Sequence, residues 1–88
     1  MNEANVHISD AYVVYDHPSD YPNEYVVRRW ELAKNSDGLG IEPKEIVFKS
    51  ENLSAIREHL SQLFLKIGIV PMRFEGCNTD PKILEEWI

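Results

Sequence analysis

Between Ala11 and Ala33 the chain reads AYVVYDHPSDYPNEYVVRRWELA, two runs rich in Val, Tyr and Trp on either side of DHPSDYPN. Branched and aromatic side chains suit a pleated, half-buried surface. Pro18 and Pro22 fix their own φ and push the residues before them towards extended backbone. The pattern predicts a β-hairpin with a stiff, acidic tip and strands over Ala11–Tyr15 and Glu24–Ala33. Alternation places Val26, Arg28, Trp30 and Leu32 on one face of the second strand and Tyr25, Val27, Arg29 and Glu31 on the other. Apolar groups on both faces mark a central strand, partly covered on each side.

The clearest element is helical. Leu53, Ile56, Leu60, Leu63, Phe64 and Ile67 recur at three- and four-residue spacing and form one apolar stripe over Asn52–Lys66. Ser50 or Asn52 can cap its start, and Gly68 can end it in the left-handed region. A stripe of this kind needs an apolar sheet to cover, which makes the fold α+β. Lys34–Pro43 reads as a loop because Asn35, Ser36, Asp37, Gly38 and Gly40 are turn formers. A third strand is expected at Lys44–Lys49, with Ile46 and Phe48 towards the core and Glu45, Val47 and Lys49 outward. A fourth is expected at Ile69–Glu75, at an edge because Pro71 lacks an amide hydrogen, with Val70, Met72 and Phe74 on one face. Lys82–Ile88 fits either a short helix capped by Asp80 or a strand returning beside the fourth. The expectation is a small antiparallel sheet of four or five strands with one helix on one face, in the order ββ-β-α-β. Residues 1–9 are expected to be loose, or to hold a short leading strand at Val6–Ile8, and residues 10–88 to form a single domain.

With 88 residues and 43% apolar side chains, one modest core is within reach and two domains are not. Cys77 is the single cysteine, so no disulfide framework supports the fold. A lone thiol and an opening, MNEANVHISD, with neither a basic stretch nor an apolar run fit a cytoplasmic protein. No apolar run approaches the ~20 residues that span a bilayer. Net charge is −6, and it is unevenly placed: Glu3, Asp10, Asp16, Asp20 and Glu24 precede the first Lys or Arg. Such an end repels phosphate backbones and favours basic protein surfaces.

Asp16, His17 and Asp20 lie within five residues and offer metal ligands or an acid–base pair, although a metal site needs further ligands from elsewhere in the fold. His59 carries no metal-binding helical spacing around it. Arg28, Arg29 and Trp30 form the one compact basic–aromatic cluster, the composition that single-stranded nucleic acid uses. Alternation sends the two arginines to opposite faces and the neighbouring tip is acidic, so pairing with carboxylates and packing at a core edge explain the cluster better. Cys77 in its turn has no histidine near it in sequence, and Gly38-Leu39-Gly40 lacks the remaining features of a phosphate loop. No cofactor is implied, and no constellation specifies a reaction. Of Tyr12, Tyr15, Tyr21, Tyr25, Trp30 and Trp87, several are expected on or beside the hairpin, where aromatic side chains rimmed by charge suit protein recognition.

The segment VYDHPSDYPNEYVVRRW over Val14–Trp30 resembles the opening of a group of small uncharacterised bacterial proteins, whose chains begin near VYDHPxDYPxxxVVRRW and end near DPxIxExWI. Asp80–Ile88 is similar to that ending. The resemblance implies that the terminal segment is a strand. It marks Asp16, His17, Asp20, Arg28, Arg29 and Trp30 as positions to test, and it brings no activity. The chain departs from the group where Glu75, Gly76 and Cys77 stand in place of a further arginine and acids. The functional expectation is a non-catalytic protein-binding or regulatory module acting through Tyr15, Asp16, His17, Asp20, Tyr21, Arg28, Arg29 and Trp30, with another protein or a second copy as partner. A small enzyme or metal-binding protein using Asp16, His17 and Asp20 with an arginine, and nucleic-acid binding through Arg28, Arg29 and Trp30, are the alternatives.

Overall fold

The hairpin forms, and it runs further from its tip than propensity alone suggests. β1 spans Val6–Asp16 and β2 spans Tyr25–Asn35 in a computed structural model that describes residues 6–75 and 81–88, with backbone alone for residues 73–75. Val6–Ile8, expected to be loose or a short leading strand, are the start of β1 itself. Val14 pairs with Val27 and Asp16 with Tyr25, which fixes the faces of both strands.

Lys34–Pro43 is not a loop. The Asn35 side-chain oxygen accepts the Asp37 amide at 2.8 Å and Gly38 takes φ 113°, a value that suits glycine. The chain thus reverses over Ser36 and Asp37 alone. β3 runs from Gly38 to Ser50 against β2, pairing Leu39 with Lys34 and Ile41 with Leu32. Two register shifts interrupt this ladder: Phe48 opposes Val27, Ile46 opposes Arg28 and Pro43 opposes Trp30. Extra residues on β3 re-aim its side chains. Ile46 and Phe48, expected on one face, consequently lie on opposite ones, and Val47, expected outward, packs against the core.

Helix α1 spans Leu53–Ile67. Asn52 caps it by accepting the Ser54 and Ala55 amides at 2.8 and 3.4 Å. Gly68, at φ 75°, closes it with the Gly68 and Ile69 amides bonding back to Leu65 and Phe64. Ile56, Leu60 and Phe64 are its buried row, and Ile67, read as part of the stripe, is exposed. β4 is confined to Arg73–Glu75, so Ile69–Met72 precede the strand, with Val70 and Met72 exposed. Ile83–Trp87 forms β5, settling the ambiguous ending as strand. The sheet order is β3-β2-β1-β5-β4, with every pairing antiparallel.

The core lies between α1 and one sheet face. Val14, Val27, Ile56, Leu60, Phe64 and Trp87 enclose it, with Tyr12 edge-on to Phe64 at 5.7 Å. Away from the tip, β1, β2 and β3 continue as a projecting three-stranded arm. The Cα radius of gyration is 14.0 Å, where a compact domain of this length has about 12 Å, and the long dimension is 46 Å. Among the described residues no helix is long and apolar enough to cross a membrane.

Candidate functional site

The core fixes which way the candidate residues face. Val14 and Val27 meet the helix, so Tyr15, Val26, Arg28 and Trp30 lie on the opposite, open face. There the Trp30 indole donates to the Tyr15 hydroxyl at 3.0 Å. Tyr15, Pro18, Asp20, Val26, Arg28, Trp30 and Pro43 line a cavity of about 230 Å³. Four residues singled out from sequence thus converge, and three that were not (Pro18, Val26 and Pro43) complete the walls. Arg28 donates to the Lys44 carbonyl, a backbone group in the stretch of β3 that the register shifts disturb.

The tip owes its shape to one strained residue. His17 sits at φ 48°, uncommon for a residue with a Cβ. Its ring bonds to the Asp16 carboxylate and lies edge-on to Tyr25 at 4.8 Å. The bend brings Pro18 and Asp20 to the open-face cavity, whereas Asp16, opposite Tyr25, faces the helix side. Asp16, His17 and Asp20 do not gather as ligands. Tyr21 belongs to the open side, beneath the Lys49 ammonium, which lies 4.4 Å from its ring centre.

Arg29 has a different fate from its neighbour. Its Nε and one Nη bond the two Glu45 oxygens at 2.9 and 3.1 Å, and the other Nη reaches Asp10 at 2.9 Å and Glu31 at 3.2 Å. The Glu45 bonds lead in raising the Arg29 guanidinium above its ordinary value, and in return Arg29 holds the Glu45 carboxyl below its own. Hydrogen bonding to Glu42 raises Lys44 likewise. His7, Asp10 and Glu31 are the one group of three metal-ligating side chains close together among the described residues, their ligand atoms all within 4.8 Å. The Arg29 guanidinium already stands between Asp10 and Glu31 as their counter-charge, so the group is a basket around an arginine.

A larger cavity of about 390 Å³ lies along α1, lined by His59, Gln62, Leu63, Leu65 and Lys66. Its histidine is already stacked flat on Phe48 at 4.1 Å, and among the described residues α1 alone lines the cavity. We favour the smaller cavity because its lining converges from two strands, the tip and β3. Cys77 falls outside the described residues. No protein-family model matches the chain, and no match is found among curated proteins or solved structures.

Proposed function

We propose that the protein is a non-catalytic protein-binding module, acting in the cytoplasm, that engages its partner at the hairpin-tip cavity on the open face of the sheet. The observation that carries this reading is the convergence of Tyr15, Asp20, Arg28 and Trp30 around one hollow of about 230 Å³. Pockets that enclose small-molecule ligands run to about 300–1,000 Å³. A smaller hollow walled by Trp, Tyr and Pro, with one cation and one carboxylate at its rim, suits a single anchoring side chain from a protein surface. Tyr21 and Lys49 extend the same surface at the tip.

The test is capture of a partner from lysate by tagged protein, with two variants of different structural cost. Trp30→Ala removes the anchor wall and the bond to Tyr15. Asp20→Tyr puts a bulky, uncharged side chain at an exposed tip position beside the hollow, obstructing it whatever the partner's charge, and is expected to leave the thermal transition unchanged. Both should reduce capture about tenfold or more. Undiminished capture by both variants refutes the reading.

A further inference from the structure

The two faces of β1–β3 differ in charge, and the difference points to the chemistry of what the open one meets. Val26 pairs with Lys49, and Lys34 follows Trp30 at even spacing, so Arg28, Lys34 and Lys49 share this face. None of the three is in an ion pair among the described residues, whereas Arg29, Lys44 and Arg57, on the helix side, all are. The strand carboxylates Asp10, Asp16, Glu31, Glu42 and Glu45 all fall on the helix side. β1, β2 and β3 therefore put cations and no acids on the open face of a chain whose net charge is −6. The carboxylates that reach this side come from outside the three strands: Asp20 of the tip lines the hollow beside Arg28, and Glu86 of β5 pairs with Val13.

Between the cations the face is apolar. Trp30, Leu32 and Ile41 continue onto the arm, where Ile41 is 58% and Leu39 69% exposed. Along β2, Arg28 and Lys34 are about 20 Å apart at 3.3 Å per residue, with the Lys49 position about 7 Å beyond Arg28. The β3 edge is closed to strand addition by Pro43, by two register shifts and by Glu42, Lys44 and Glu45. A partner therefore lies on the face instead of extending the sheet. A second copy would bring the same three cations to that face with little to meet them. Single-stranded nucleic acid stacks on exposed rings, but the exposed arm residues are aliphatic, and Trp30 and Tyr15 are half-buried and bonded to each other.

We propose that the open face of β1–β3 docks an acidic segment of another protein, its carboxylates meeting Arg28, Lys34 and Lys49 and its apolar side chains covering Trp30, Leu32 and Ile41. This rests on the binding-module reading and adds the partner's chemistry. A helix of about 14 residues matches the 20 Å spacing, in the way that α1 covers the other face.

The probe is a synthetic amphipathic peptide of about that length with a leucine stripe flanked by glutamates, alongside the same peptide with lysines for glutamates and a short oligothymidylate. Binding to the purified protein is followed by tryptophan fluorescence. Preference for the glutamate peptide, weakened about tenfold by Lys34→Glu with Lys49→Glu and weakened by salt, supports the proposal. So does transfer of that preference to the lysine peptide in the double variant. Both substitutions are at exposed positions, and Ile41→Ser, also exposed, should weaken binding without unfolding the chain. Equal binding of both peptides, none at high micromolar concentration, tighter binding of the oligonucleotide, or a dimeric mass of the protein alone that Ile41→Asp abolishes would each overturn it. If the peptide fails while lysate capture still depends on Trp30 and Asp20, the acidic partner is wrong and the binding module stands. If capture is also indifferent to them, both fall.

Discussion

The ion pair between Arg57 and Glu85 offers the sharpest test of how the sheet is held to its helix. Glu85 lies on β5 facing α1, with its side chain 4% exposed. One carboxylate oxygen takes the Arg57 Nε at 2.9 Å together with an Nη, and the other accepts the Trp87 indole at 3.1 Å. Removing one partner of a fully buried pair costs about 3–5 kcal/mol, because the remaining charge is left desolvated. Arg57 is 43% exposed, so water can replace part of what it supplies, and a cost of about 2 kcal/mol follows for Arg57→Met. For a chain of this size that corresponds to a loss of about 8–16 °C in Tm, or about 1–2 M in urea midpoint. Glu85→Gln keeps an acceptor for Trp87 and should cost about 1 kcal/mol. The double variant should be less destabilised than the two singles added, by about 1 kcal/mol, since no charge is then stranded. Urea unfolding followed by tryptophan fluorescence measures all three. An Arg57→Met cost under about 0.5 kcal/mol, or simple additivity in the double variant, would refute the reasoning.

Three further outcomes follow from particular residues. Gly68→Ala meets no steric neighbour but must hold φ 75°, so it should lower stability by about 1 kcal/mol in denaturant titration. His17→Val, which places a β-branched residue at φ 48°, should cost about 1–2 kcal/mol, while His17→Asn should cost less because Asn tolerates that region. Burial first, and then the Asp10 carboxylate, raise Tyr12 above its ordinary value of 10.0. The unfolded chain therefore loses this proton first, and Tyr12 stabilises the fold below about pH 10 with the contribution fading as pH rises past it. Tyr12→Phe should flatten that alkaline decline in a pH series of thermal melts.

What the sequence disclosed and what it hid divide along a physical line. The helix was legible because its apolar spacing and both caps are local, and Asn52 and Gly68 act within a few residues of themselves. The first hairpin was legible for the same reason. The second is not, because NSDGLG reads as a cluster of breakers, whereas one bond from the Asp37 amide to the Asn35 side chain makes it a tight turn. Leu39 and Ile41 alternate beyond it and carried the missed signal. The register shifts on β3 and the seat of β5 between β1 and β4 depend on partners distant in sequence. The burial of Glu85 had no local sign at all, since its counter-ion sits on the helix 28 residues away.

The site shows the same division at closer range. Alternation alone put Arg28 and Trp30 on one face and Arg29 on the other, and the coordinates agree. Counting charge along the chain made the hairpin an acidic end, but the fold sorts charge by face. Asp10 and Asp16 turn to the helix side and Asp20 curls over to the open-face hollow, while Lys34 and Lys49 reach the open side from the arm and from β3. Two adjacent arginines thus end in opposite circumstances: Arg29 is saturated by three carboxylates, and Arg28 holds a backbone carbonyl with no carboxylate partner among the described residues. Exchanging their surroundings would need only a one-residue slip of β2, which would also carry Val27 out of the core and Trp30 towards the helix. Val27 is fully buried, so the core itself holds the register that leaves Arg28 facing outward.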